Sequence, residues 1–140
     1  MIRYRDTRGA TEEPCTFTEA VLAGIAPGGG LFVPERLPAF TVAQIVALAD
    51  LPYHRRAAAV YEAFGLDVEP STTRAITARA YGPRFDHPEV APVREVAPGR
   101  HVLELWHGPT LAFKDMALQC MPLYFSEALE QAHARGTTEL

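Results

Sequence analysis

Lysine is almost missing from this sequence. Of its 13 basic residues, all are arginine except Lys114. Solvated surface positions accept either cation, so a chain that otherwise uses arginine has a chemical reason to keep one amine. Lysine can shed its proton and form a Schiff base; guanidinium cannot. Cysteine is scarce too: Cys15 and Cys120 stand far apart. That excludes a disulfide-stapled scaffold and points to a reducing, cytoplasmic setting. No apolar run approaches the roughly 20 residues of a membrane span. Met1 to Asp6 lacks the apolar core of a signal peptide. There are no internal repeats and no low-complexity tract. With a net charge of −4 and no basic stripe, nothing matches the phosphates of nucleic acid. His54, His87, His101 and His133 show no metal-ligand spacing, so no metal site is expected.

What is present is an ordinary globular mixture. The 140 residues are 48% hydrophobic and 21% charged, enough for one domain or one and a part. Residues 1–15 read as extended or irregular. Thr16 with Glu19 forms a capping-box pattern that opens a first helix, with Phe17, Ala20, Val21, Gly24 and Ile25 on one face. Pro27-Gly28-Gly29-Gly30 stops it, and Leu31-Phe32-Val33 follows as a short strand ended by Pro34. The three glycines precede a strand rather than a helix, which makes them a turn and not a phosphate cradle. Thr41 and Gln44 repeat the capping pattern ahead of an apolar stripe of Val42, Ile45, Val46 and Ala49. A third helix is predicted from Tyr53 to Phe64, with Ala57, Val60, Tyr61 and Phe64 inward and Gly65 as its stop. A fourth is predicted from Pro70, a first-turn proline, to Tyr81.

Beyond Gly82-Pro83 the texture changes. Val93–Val96 and His101–Trp106 read as strands, joined by Ala97-Pro98-Gly99-Arg100, where Pro then Gly suit a type II turn. His107 to Lys114 is a predicted loop. Asp115 can cap a last helix from about Met116 to Arg135, kinked or delayed by Pro122. That helix is apolar on most sides, from Leu118 and Met121 to Leu129 and Ala132, and expects protein around it. The few strands available do not supply a sheet for it to cover. The expectation is therefore a chain that lacks a partner half, with Thr137 to Leu140 starting a further element.

The stretch Leu103 to Asp115 carries the chemistry. A strand delivers a Gly-Pro loop, and the loop delivers the lone lysine just ahead of a helix. Leu111, Ala112 and Phe113 would desolvate its amine, and a helix N-terminus would push the same way, toward the neutral nucleophile. Asp115 would oppose both. From spacing alone, a surface ion pair between Lys114 and Asp115 is as good a reading as a reactive lysine.

His107-Gly108-Pro109-Thr110-Leu111-Ala112-Phe113-Lys114-Asp115 resembles the cofactor-lysine motif of threonine synthases, H-G-P-T-x-A-F-K-D. Tyr4 with Thr7-Arg8-Gly9 is similar to the family's Y-x-S-T-R-G opening, with Asp6 where the family often has Ser. Phe17 to Pro34 resembles F-x-E-A-V-L-x-G-L-A-P-D-G-G-L-Y-V-P, with glycine in place of the acidic residue of that turn. Trp106 stands for a common Phe, and Pro122 is unusual. The three matches occur in the family's order and span nearly the whole chain.

The resemblance implies an α/β fold: an α+β N-terminal domain (1–90, mainly helical with short strands) leading into the start of a fold type II PLP-enzyme large domain (91–140). It implies a PLP-dependent lyase that converts O-phospho-L-homoserine and water to L-threonine and phosphate. Lys114 then holds pyridoxal 5'-phosphate and serves as catalytic base, and Phe113 packs beside the cofactor. Thr110, His107 and Arg8 are the candidate substrate contacts. The partners implied are the small-molecule substrate alone, with no nucleic acid or membrane, in a cytoplasmic monomer or homodimer. The family's PLP-phosphate loop and the loop over the ring lie downstream of these motifs, so these 140 residues alone are expected to be inactive. Two other readings share the motif: a related phospho-lyase of the same PLP family, and a non-catalytic binding module whose apolar last helix is a partner surface.

Overall fold

The computed structural model describes residues 1–136. The chain runs β1 (Tyr4–Asp6), α1 (Phe17–Ala23), β2 (Phe32–Pro34), α2 (Val42–Ala49), α3 (Tyr53–Ala63), α4 (Pro70–Ala80), β3 (Val93–Ala97), β4 (Arg100–Leu103), α5 (Asp115–Leu118) and α6 (Met121–Ala134). Helices and two small sheets are mixed in one chain, consistent with the α/β class. The element expected to begin at Thr137 lies outside the described residues.

Both capping boxes form. The Glu19 amide donates to Thr16 Oγ1 at 3.2 Å and the Thr16 amide to Glu19 Oε2 at 2.7 Å. Thr41 and Gln44 repeat the arrangement at 3.2 and 2.8 Å. Each box satisfies two amides that the first helical turn leaves without partners. The strand at Phe32–Pro34 finds its antiparallel partner in residues 4–6, with Tyr4 opposite Pro34 and Asp6 opposite Phe32. The irregular opening segment thus supplies a strand. Pro34 belongs to that strand as its last residue, where a missing N–H costs least.

Two predicted inner faces differ. No α2 residue is buried, and Val42, Ile45 and Val46 are 77%, 57% and 63% exposed. This two-turn helix packs against α3 at the periphery, so its stripe records periodicity without a described layer to cover it. In α3 the buried residue is Ala58, whereas Val60 is exposed. The predicted Ala57 and Tyr61 are partly buried and pack against the core, so only Val60 departs from the expected inner face.

The hairpin forms as predicted, with Val93 opposite Leu103 and Glu95 opposite His101. Gly99 sits at φ 69°, the left-handed conformation a type II turn requires. A register irregularity lies between Glu95 and Ala97. The second strand stops at Leu103 rather than Trp106. There the Glu104 amide bonds the Pro92 carbonyl at 2.9 Å and the Glu104 side chain turns to His107.

The predicted last helix is two helices. Pro122 has no N–H for the Leu118 carbonyl, and its ring would clash there, so α5 ends after one turn and α6 restarts with Pro122 in its first turn. The main core joins Val68, Ile76, Ala80, Tyr81, Phe85, Val90, Cys120 and Tyr124. It therefore draws on α4, the 82–92 loop and α6 alike. Phe17 of α1 meets Tyr124 edge-on, with ring centroids 5.2 Å apart. α6 packs on α1 through Tyr124 and Ala128, while Leu118, Met121 and Phe125 around it remain exposed.

Candidate active site

The segment from His107 to Lys114 has no regular secondary structure, yet it is pinned at both ends. At its start, His107 lies between two carboxylates. Its Nδ1 is 2.6 Å from Asp86 Oδ1 and its Nε2 is 2.7 Å from Glu104 Oε2. Its carbonyl also accepts from the Asp86 amide at 3.0 Å. The bonds to Glu104, then to Asp86, push the imidazole above its ordinary value of 6.5 and favour the cation. The His87 ring lies 5.0 Å away and itself contacts Arg94. Both ring nitrogens of His107 are thus engaged within the protein.

At its end stands Asp115, fully buried. Its Oδ2 accepts from the Thr110 amide at 2.8 Å and the Thr110 hydroxyl at 2.9 Å. Its Oδ1 accepts from Gln119 Nε2 at 3.3 Å. Burial alone would raise this carboxyl, but the Thr110 and Gln119 bonds outweigh it and hold the group below the usual range, ionised. Asp115 therefore does not cap the helix that follows it, as the sequence suggested. It is the first residue of that helix and reaches back over the loop. The reason is its position: an N-cap carboxylate must stand before the first helical residue, and Lys114 occupies that place.

Between these anchors the backbone turns tightly. The Leu111 amide donates to the Gly108 carbonyl at 3.0 Å, and Leu111 adopts φ 59°. Few residues with a β-carbon do so. Gly108 lies against Asp115. A β-carbon there would stand 2.5 Å from Asp115 Oδ2 and closer still to Asp115 Cβ.

Lys114 follows with helical backbone (φ −60°, ψ −24°), and its carbonyl receives the Ala117 and Leu118 amides at 3.0 and 2.8 Å. Its side chain is exposed and has no hydrogen-bond or ion-pair partner among the described residues. The surface pair with Asp115 is not formed, because that carboxylate is committed inward. The desolvation expected from the neighbouring apolar residues is also missing: Leu111 and Phe113 are 69% and 66% exposed. The helix after Lys114 is one turn long, so it carries little of the dipole anticipated for a long helix. What remains, among the described residues, is a free amine on a fixed backbone, next in sequence to the exposed Phe113. That donor set fits the aldehyde of a carbonyl cofactor such as PLP.

Arg8 lies in the turn that follows β1. Its amide donates to Asp6 Oδ1 at 2.9 Å and its Nη1 to the Gly28 carbonyl at 3.2 Å. Asp6 also takes the Ala10 amide at 2.9 Å, and a side chain at Gly30 would collide with it. Aspartate at this position thus organises the opening turn by accepting two amides. No contact joins Arg8 to the 107–114 segment among the described residues.

Residues 3–81, more than half of the chain, match the family model described as the threonine synthase N terminus. The chain belongs to the threonine synthase family. It is 44% identical over 121 residues to a threonine synthase of Pseudomonas aeruginosa, covering 86% of this chain and 25% of that one. It is 38% identical to the threonine synthase of Corynebacterium glutamicum, covering 91% and 28%. Among solved structures, PLP-bound threonine synthase from Brucella melitensis superposes with a TM-score of 0.87 at 37% identity, over 95% of this chain and 28% of that one. The chain thus spans about a quarter of the length of the relatives it matches. Among its described residues, no helix is long and apolar enough to cross a membrane.

In this member of the threonine synthase family, the sequence motifs single out Lys114 but not the residues that frame its segment. Glu104 stands three before His107, a spacing that hints at contact. Asp86 is 21 residues away and carries no local signal. Gln119 is reachable from Asp115 only because α5 makes one helical turn.

Proposed function

We propose that this chain supplies the cofactor lysine of a threonine synthase, a PLP-dependent lyase that converts O-phospho-L-homoserine and water to L-threonine and phosphate. The observation that carries the reading is that the amine of the only lysine has no partner among the described residues, at the end of a motif segment whose backbone is fixed on both sides. Lys114 would hold PLP through its aldehyde, and the exposed Phe113 would pack beside the cofactor. When bound, PLP supplies an electron sink for charge developing at the substrate's α-carbon. Lys114 Nζ would take the substrate's Cα proton and return protons before product leaves. A free amine beside the reacting carbons serves all of these steps, which an arginine could not.

Thr110, bonded to Asp115, and His107, held between Asp86 and Glu104, fix the segment and remain candidates for contacting substrate. Arg8 keeps unused guanidinium donors and is the candidate for an anionic substrate group. Residues 1–90 form the N-terminal domain, and residues 91–140 begin the PLP-binding domain, in a cytoplasmic enzyme. The 140-residue polypeptide alone is expected to release no phosphate from O-phospho-L-homoserine, since it spans about a quarter of its relatives.

The test is product analysis with the intact gene product, PLP and O-phospho-L-homoserine. Threonine and phosphate in equal amounts are expected, and none with Lys114→Ala. A keto acid and ammonia would instead assign the chain to a related phospho-lyase.

A further inference from the structure

We infer that Asp115 is the positioning residue for Lys114: its buried carboxylate ties the Thr110 turn to the first turn of α5 and so fixes the direction in which the amine is presented. This rests on the reading of Lys114 as the cofactor lysine. The neighbouring aspartate has two simpler explanations, and neither holds. It is not an ion-pair partner, because its oxygens face Thr110 and Gln119 and not Lys114. It is not the helix N-cap, because it lies within the first turn and no side-chain cap bond forms there.

What it does is join segments that would otherwise move apart. Thr110 gives it both an amide and a hydroxyl, so the turn is held at two points. Gln119 Nε2 holds the other oxygen, and Gln119 Oε1 in turn accepts from Arg84 Nη1 at 3.0 Å. The connection thus runs from the 82–92 loop through Asp115 to the turn before Lys114. Tyr81 fastens the same single helical turn from below, its hydroxyl donating to the Met116 carbonyl at 2.8 Å.

The left-handed Leu111 shows that the turn needs such a hold. A residue with a β-carbon stays in that region only where its surroundings over-determine it. Leu111 is itself exposed and packs little, so its own side chain does not hold it there. Thr110, the residue before it, is fixed by Asp115, and Leu111's amide is fixed by Gly108. Gly108 in turn must lack a side chain because Asp115 fills that space. Carboxylate, glycine and strained leucine therefore form one device. A free lysine amine gains reactivity from being aimed, and a displacement of about 1 Å at a reacting group costs up to roughly 100-fold in rate.

The test uses the intact gene product with PLP. Two quantities are read: the rate at which residue 114 takes a borohydride-fixed pyridoxyl label, and amide hydrogen exchange across residues 108–118. Asp115→Ala is expected to slow labelling roughly 10- to 100-fold and to speed exchange over that peptide. Thr110→Val, at an exposed position, removes only the hydroxyl donor and should slow labelling by a smaller factor, with Thr110→Ser restoring it. If Asp115→Ala does not fold, Asp115→Asn and Thr110→Val carry the comparison. Folded variants that label Lys114 at the wild-type rate with wild-type exchange would overturn the positioning role. So would variants that only melt earlier, with unchanged labelling well below the melting point. Wild-type protein that takes no label at Lys114 would instead sink the cofactor reading.

Discussion

Gly108 and Asp115 occupy space that only one side chain can fill. Gly108→Ala should therefore displace the carboxylate and cost about 1–3 kcal/mol, by the general cost of overpacking. Urea unfolding of the variant measures it, and a midpoint equal to wild type would show that the contact relaxes freely. His107 makes a pH-dependent contribution. Glu104 and Asp86 raise its folded value above 6.5. The stabilisation is thus fully present below the unfolded value of about 6.5 and is lost as pH rises through the higher folded one. Thermal midpoints are expected to fall over that window, and to fall less in His107→Gln. Identical pH profiles for the two proteins would contradict the clamp. At this scale the sequence located Lys114 because it is unique and sits in a motif. The inward turn of Asp115 was not legible, since an aspartate ahead of a helix looks the same whether it caps that helix or reaches back over a loop.

The elements follow local rules where those rules concern a few adjacent residues. Both capping boxes, the first-turn proline of α4 and the Pro-Gly hairpin were legible because each depends on spacings of four residues or fewer. The strand at residues 4–6 was not, because its partner lies nearly thirty residues later. Nor was the junction between α1 and the segment before α4. There the buried Thr18 gives its amide to Asp67 Oδ1 at 3.0 Å and its hydroxyl to Asp67 Oδ2. Burial would raise Asp67, but the Thr18 bonds overcome it and hold it low. Asp67→Ala leaves the buried Thr18 amide unpaired and should cost about 1–3 kcal/mol in urea unfolding. A change under about 0.5 kcal/mol, typical of an uninvolved surface site, would show that Thr18 finds other partners. The α2 stripe gives the opposite expectation. Ile45 is 57% exposed, so Ile45→Lys should shift the stability of this polypeptide by less than about 0.5 kcal/mol.

For the molecule as a whole, the buried residues gather where α4, the 82–92 loop and α6 meet, and the motif segment lies at the edge of that core. Apolar side chains are left exposed, among them Trp106, Leu111, Phe113 and Phe125. Exposed apolar residues in such number offer a surface to apolar ligands. The 140-residue polypeptide should therefore bind an apolar fluorescent dye, and Phe113→Ser with Phe125→Ser should reduce the signal. The sequence conveyed the family and the order of its motifs, because those are short and local. It did not convey that the amine would be open rather than desolvated, since exposure depends on every element around it. The cofactor role of Lys114 is the central claim. Borohydride reduction of the PLP-loaded gene product, followed by peptide mapping, should place the pyridoxyl group on the peptide containing Lys114 and lose it in Lys114→Arg. A label that persists in that variant, or maps to a peptide without residue 114, would contradict it.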